Sequence, residues 1–231
     1  MALKSASLTC SVWCLAAMML LGGCSSANNS GQPKYNASHA PPDKFETTAD
    51  PPFKAKTHFA AGQLAETQGD SNRAIQQYWA AVKIDPKQQD ALFRLGVLYC
   101  QAKDYPNAIN AWKLYLKATD DAATGYSNLG FCEELAGHRA AAEAAYRKGI
   151  EKDPKNRACR VNFGLMLARE NKMQEATLQL EAVLTPAEVH YNLASVLEQQ
   201  GKKEQARSEY RKALDLDPNL ADAQVRLDVL K

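Results

Sequence analysis

Neither sign of charge dominates this chain: 28 Lys and Arg stand against 26 Asp and Glu, a net +2. That balance gives no footing to a nucleic-acid surface. Cysteine is thin where a disulfide scaffold needs it. Of six, Cys10, Cys14 and Cys24 fall near the start, and the odd remainder, Cys100, Cys132 and Cys159, matches no zinc spacing. The sequence has no Gly-rich phosphate loop, no HExxH and no nucleophile–base–acid set, and His39, His58, His138 and His190 stand isolated. These absences argue against an enzyme, a metal, a cofactor or a small-molecule substrate. Long apolar runs are scarce too. The one near the start, Val12 to Leu21 (VWCLAAMMLL), is about half the roughly 20 residues a permanent membrane helix needs.

That run has the form of a secretory signal over residues 1–23. Lys4 is its one charge, and Gly22-Gly23 precede Cys24. Leu21-Gly-Gly-Cys24 resembles the bacterial lipobox. The resemblance implies that Cys24 becomes the lipidated first residue, an anchor of several acyl chains. Ser25 follows, where enteric-type retention in the inner membrane implies Asp, so the expected site is the outer membrane, facing the periplasm. Residues 24–54 then read as a disordered tether. Pro33, Pro41, Pro42, Pro51 and Pro52 lie among Ser, Asn, Ala and Thr without apolar periodicity, and a coil of that length reaches about 30 Å.

The body is periodic. Gly62, Gly96, Gly130 and Gly164 recur at one constant interval, and Ala74, Ala108, Ala142 and Ala176 follow them in step. Tyr78, Trp112 and Tyr146 keep the same phase, and a fifth unit with Ala194, Ala206 and Tyr210 comes after a shorter interval. Each unit holds two amphipathic stretches, such as QDALFRLGVLYCQ and PNAINAWKLYLKA, separated by a turn signal. Asp85-Pro86, Asp153-Pro154 and Asp217-Pro218 end second helices. The pattern resembles the tetratricopeptide repeat, a helix–turn–helix unit whose period it shares. The resemblance implies an all-α solenoid of five units, at about 55–88, 89–122, 123–156, 157–186 and 187–218. Residues 219–231 read as a polar-backed capping helix with Ala223, Leu227 and Leu230 turned inward. The fourth unit is shorter than the others, so either its second helix loses a turn or the fifth unit tilts.

The resemblance also implies a concave groove made by first helices, with inward positions at the second, fifth, ninth and twelfth residues of each unit. Carried over, these give Phe59, Phe93, Ser127, Val161 and Tyr191 at the fifth, and Gln63, Val97, Phe131, Leu165 and Ser195 at the ninth. Asp90 and Glu134, with Glu66 and Glu198, give the edge an acidic cast. An apolar, partly aromatic stripe suits a protein or peptide partner. A carboxylate clamp is disfavoured, because Phe59, Phe93 and Val161 stand where its lysines belong. Trp79 is either covered by Phe53 and the tether or marks a second contact surface, and Cys100 and Cys132 either approach each other or serve as small packing residues.

The order of lipobox, tether and repeats is similar to lipoproteins that assist type IV or Flp pilus assembly. That likeness implies a non-enzymatic scaffold for envelope proteins. An adaptor in outer-membrane protein assembly or for peptidoglycan hydrolases fits nearly as well. A self-associating structural repeat protein, or a regulatory subunit of an enzyme, is the reading of another class.

Overall fold

In the computed structural model, residues 54–230 are described. The signal, Cys24, the tether and Phe53 lie outside the described residues. The described chain forms eleven α-helices and, among these residues, no strand. Five hairpins run α1 (Ala55–Thr67) with α2 (Ser71–Ile84), α3 (Gln89–Gln101) with α4 (Tyr105–Ala118), α5 (Ala123–Leu135) with α6 (Arg139–Lys152), α7 (Arg157–Arg169) with α8 (Met173–Glu181), and α9 (Pro186–Gln199) with α10 (Lys203–Leu216); α11 (Ala221–Val229) follows. The all-α solenoid is therefore the fold. Among the described residues no helix is long and apolar enough to cross a membrane.

Local chemistry sets the helix ends. The Asp70 carboxylate accepts from the Arg73 N–H at 2.9 Å, Asn156 caps α7 by accepting from the Cys159 N–H at 3.0 Å, and Thr185 with Glu188 forms a capping box at α9. Each hairpin turn has the same closure. The chain crosses into the left-handed region at Gly69, Lys103, Gly137, Asn171 and Gly201, and the next N–H donates back to the last helical turn, as Asp70 N does to Ala65 O at 2.9 Å. Two of these five positions carry side chains that strain there, Lys103 more than Asn171.

The periodic small residues hold the hairpins shut. Ala74, Ala108, Ala142, Ala176 and Ala206 are fully buried. A methyl added at Gly130 would sit 2.6 Å from the Tyr146 ring, and one at Gly96 would meet the Trp112 indole more closely still. A bare backbone there is what lets a large second-helix ring lie flat on the first helix. The fifth hairpin houses Tyr210 against Ala194 instead, both buried.

The residues missing from the fourth unit come out of its second helix. Helix α8 has 9 residues where the other second helices have 14. The fifth hairpin continues the stack through α7 against α9.

Candidate partner-binding face

At two junctions first helices of neighbouring hairpins touch one another, α5 against α7 and α7 against α9, while among the described residues second helices lack comparable contacts. Such contacts are what the expected hollow face, lined by first helices, requires. Along them the fifth position leans on the large residue of its own hairpin. Phe59 lies 5.5 Å from Tyr78 between ring centres, Phe93 5.2 Å from Trp112 edge to face, and Tyr191 5.7 Å from Tyr210. These three rings are half-buried. Ser127 breaks the row: it is 2 % exposed and accepts from Asn162 Nδ2 at 3.4 Å. Tyr146 packs on Phe163 of the next hairpin instead, at 6.0 Å.

At the ninth position Phe131 is the open ring, 39 % exposed. Val97, Leu165 and Ser195 at the same position are half-buried, as is Val161 at the fifth, and Gln63 and Asp90 are exposed. The apolar row does not stop at the fifth hairpin. Helix α11 opens one full period after the fifth unit, placing Val225 and Val229 at its fifth and ninth positions, 60 % and 69 % exposed. The capping helix expected there turns Ala223, Leu227 and Leu230 inward, and its outer side carries these two valines among Asp222, Gln224, Arg226 and Asp228. Leu193 and Leu227, one period apart, carried that register in the sequence.

Three of the four acids at the edge are tied rather than free. Tyr78 Oη donates to Glu66, which also pairs with Arg94 of the second hairpin. Tyr146 Oη donates to Glu134 at 3.2 Å, and Arg169 of the fourth hairpin donates to the same carboxylate at 2.5 Å. Tyr210 Oη donates to Glu198 at 2.8 Å, and Arg226 of α11 pairs with it. Burial pushes the Glu66 carboxyl up, but its hydrogen bonds with Arg94 and Tyr78 and the Arg94 charge outweigh that and hold it below its ordinary range. Burial and the adjoining carboxylate push the Tyr78 and Tyr210 phenols up. Each tie spans a junction, so the acidic cast expected of Glu66, Glu134 and Glu198 is neutralised. The ties were readable as a Glu and a Tyr at the same offset in alternate units.

Trp79 is half-buried and donates from its indole N–H to Tyr99 Oη at 2.8 Å. His58, at the first hairpin's atypical position, lies 2.8 Å from Gln77 Oε1.

The repeat geometry is matched by sequence profiles described as tetratricopeptide repeat over residues 59–123 and 187–220. Residues 59–123 and 187–220 carry tetratricopeptide repeats. Two curated proteins are similar to it over part of their length. The general transcriptional corepressor ssn6 of Schizosaccharomyces pombe is 24 % identical over 123 residues, 52 % of this chain and 11 % of that one. The small glutamine-rich tetratricopeptide repeat-containing protein 2 of Mycosarcoma maydis is 28 % identical over 117 residues, 51 % of this chain and 33 % of its own. The chain thus spans about a tenth and a third of these relatives.

Three solved structures share the tetratricopeptide fold. MamA superposes with a TM-score of 0.59 at 22 % identity, covering 73 % of this chain and 94 % of its own. PilW, described as a widely conserved type IV pilus biogenesis factor, gives 0.57 at 20 %, covering 74 % and 82 %. YrrB, described as having an unusual peptide-binding site, gives 0.54 at 23 %, covering 74 % and 90 %.

Proposed function

We propose that this chain is a membrane-tethered adaptor, held by lipid on Cys24 to the periplasmic side of the outer membrane. Its hollow face seats an apolar segment of another envelope protein during assembly of a complex such as a type IV or Flp pilus. The observation that carries the reading is the row of apolar side chains at the fifth and ninth positions, open at Phe131 and continued through Val225 and Val229. Burying such side chains against a partner yields about 1.5–3 kcal/mol each. The lipobox-like Leu21-Gly-Gly-Cys24 supports the anchor, and the shared fold with PilW supports the choice of complex.

The face is tested with a photo-crosslinking residue at position 131 in cells of the source bacterium, with captured proteins identified by mass spectrometry. Envelope-assembly proteins are the expected capture, lost in Phe131→Asp with helical circular dichroism unchanged. Equal capture from position 178, on a second helix, overturns the assignment. Phe93 is unsuited to such a charge test, because its ring packs on Trp112 and Tyr115. For the anchor, Cys24→Ala is expected to move the protein from the membrane to the soluble periplasmic fraction, and continued sedimentation with membranes overturns it.

A further inference from the structure

The junction between the second and third hairpins lacks the tie that Glu, Tyr and Arg make at three others. Cys100 stands at the twelfth position in place of Glu66, Glu134 and Glu198, and Trp112 stands in place of the tyrosines. Trp112 has no hydroxyl with which to tie a carboxylate, and its buried indole lies by Cys132. What crosses the junction here is sulfur: Cys100 Sγ and Cys132 Sγ lie 3.0 Å apart, one on α3 and the other on α5. Among the described residues no His, Asp or Glu joins them in a metal-sized group.

We propose that Cys100 and Cys132 are a modification site, oxidised to a disulfide that covalently joins the second hairpin to the third. The two sulfurs need to close by about 1 Å to reach bonding distance near 2.05 Å. The other remaining cysteine does not compete, since Cys159 is buried at a different junction, 3.4 Å from the Ala123 carbonyl.

Exposure sets the order of steps. Cys100 is half-buried, whereas Cys132 is 1 % exposed. The Cys132 thiol donates toward the Cys100 sulfur, which lowers the Cys100 pKa and raises that of Cys132. The Cys100 thiolate therefore attacks one sulfur of an oxidant disulfide, either a small molecule or an exported thiol oxidase, and releases one thiol. Cys132 then gives up its proton and attacks Cys100 Sγ, expelling the second oxidant thiol. Two cysteines lose two electrons, and one oxidant disulfide becomes two thiols. The bond closes the loop from Gln101 to Phe131, and so restricts the unfolded chain. The chemistry does not rest on the export reading, and failure of the groove assignment leaves it untouched.

The test uses the full chain, reduced and then exposed to oxidised glutathione, alkylated under denaturing conditions and mapped by mass spectrometry. The expected product is a crosslinked peptide pair containing Cys100 and Cys132, two hydrogen masses lighter, with Cys159 fully alkylated. Oxidation is also expected to raise the thermal midpoint by several degrees, reversibly with dithiothreitol, and Cys132→Ser is expected to stop Cys100 at the glutathione adduct. Full alkylation of both cysteines after oxidation, a stable glutathione adduct on Cys100 in the unsubstituted chain, or pairing of either with Cys159 overturns the proposal.

Discussion

The third and fourth hairpins begin alike and end differently. Helices α5 and α7 both have 13 residues, but α6 has 14 and α8 has 9. In the third, Tyr146 lies on Gly130 and its hydroxyl reaches Glu134. In the fourth, Leu180 lies on Gly164, and the residue in the place of Glu134 is the fully buried Ala168. Both members change together. A carboxylate is half-buried where a phenol is available to meet it, and a methyl stands where none is, because desolvating an unmet charge is costly. Leu178 of the short helix is 65 % exposed.

The sharpest way to break this comparison is Ala168→Glu, which places the third hairpin's acid opposite the fourth hairpin's leucine. Urea unfolding is expected to show a loss of about 3 kcal/mol or more, with Ala168→Glu/Leu180→Tyr recovering part of it. A double-mutant coupling near zero would show that the two positions vary independently. Tyr146→Phe, which removes the hydroxyl and keeps the ring, is expected to cost about 1 kcal/mol; a cost matching loss of the whole ring would mean the ring placement itself had changed.

Acid sharpens the contrast from the first hairpin, whose Glu66 is held below its ordinary value. A carboxyl with a lower pKa folded than unfolded stabilises the fold fully above its unfolded value, near 4.5, and loses that stabilisation as pH falls through the folded value. Thermal midpoints measured downward from about pH 6 should fall less steeply in Glu66→Gln than in the parent. An unchanged slope would remove the Glu66 tie from the account.

The smallest effect concerns a turn. Lys103 holds φ 60° where the first, third and fifth hairpins use glycine. Lys103→Gly is expected to gain about 0.5 kcal/mol, the relief of left-handed strain less the added freedom of the unfolded chain. A loss of stability would mean that the lysine side chain makes a compensating contact.

Much of this architecture was legible in the sequence, because packing repeats whenever its cause repeats. Gly62, Gly96 and Gly130 marked where rings lie on the first helix, and with Gly164 their spacing named the first four hairpins. Deletion in the fourth unit left two outcomes, since missing residues can shorten a helix or rotate its neighbour, and only packing decides. The Glu–Tyr–Arg ties were harder to see, as each draws on three helices and a glutamate on an amphipathic helix reads as solvated until its partner is in place. Helix α11 was legible in its inward side, Ala223, Leu227 and Leu230, while Arg226 and Asp228 drew attention from Val225 and Val229, which share the repeat's register. The half-buried state of Phe59, Phe93 and Tyr191 depended on ring-on-ring geometry that spacing does not convey.

Because each hairpin touches little beyond its neighbours, the shortened α8 has a mechanical consequence. A chain of stacked hairpins stretches as a spring, and its stiffness at each coil follows the overlap between successive helices. The α8–α9 contact is the sparsest of the four second-helix-to-first-helix contacts between hairpins. Under a gentle pull along the axis, extension should therefore gather at that one soft coil, swinging the last three helices while the first eight hold their pitch.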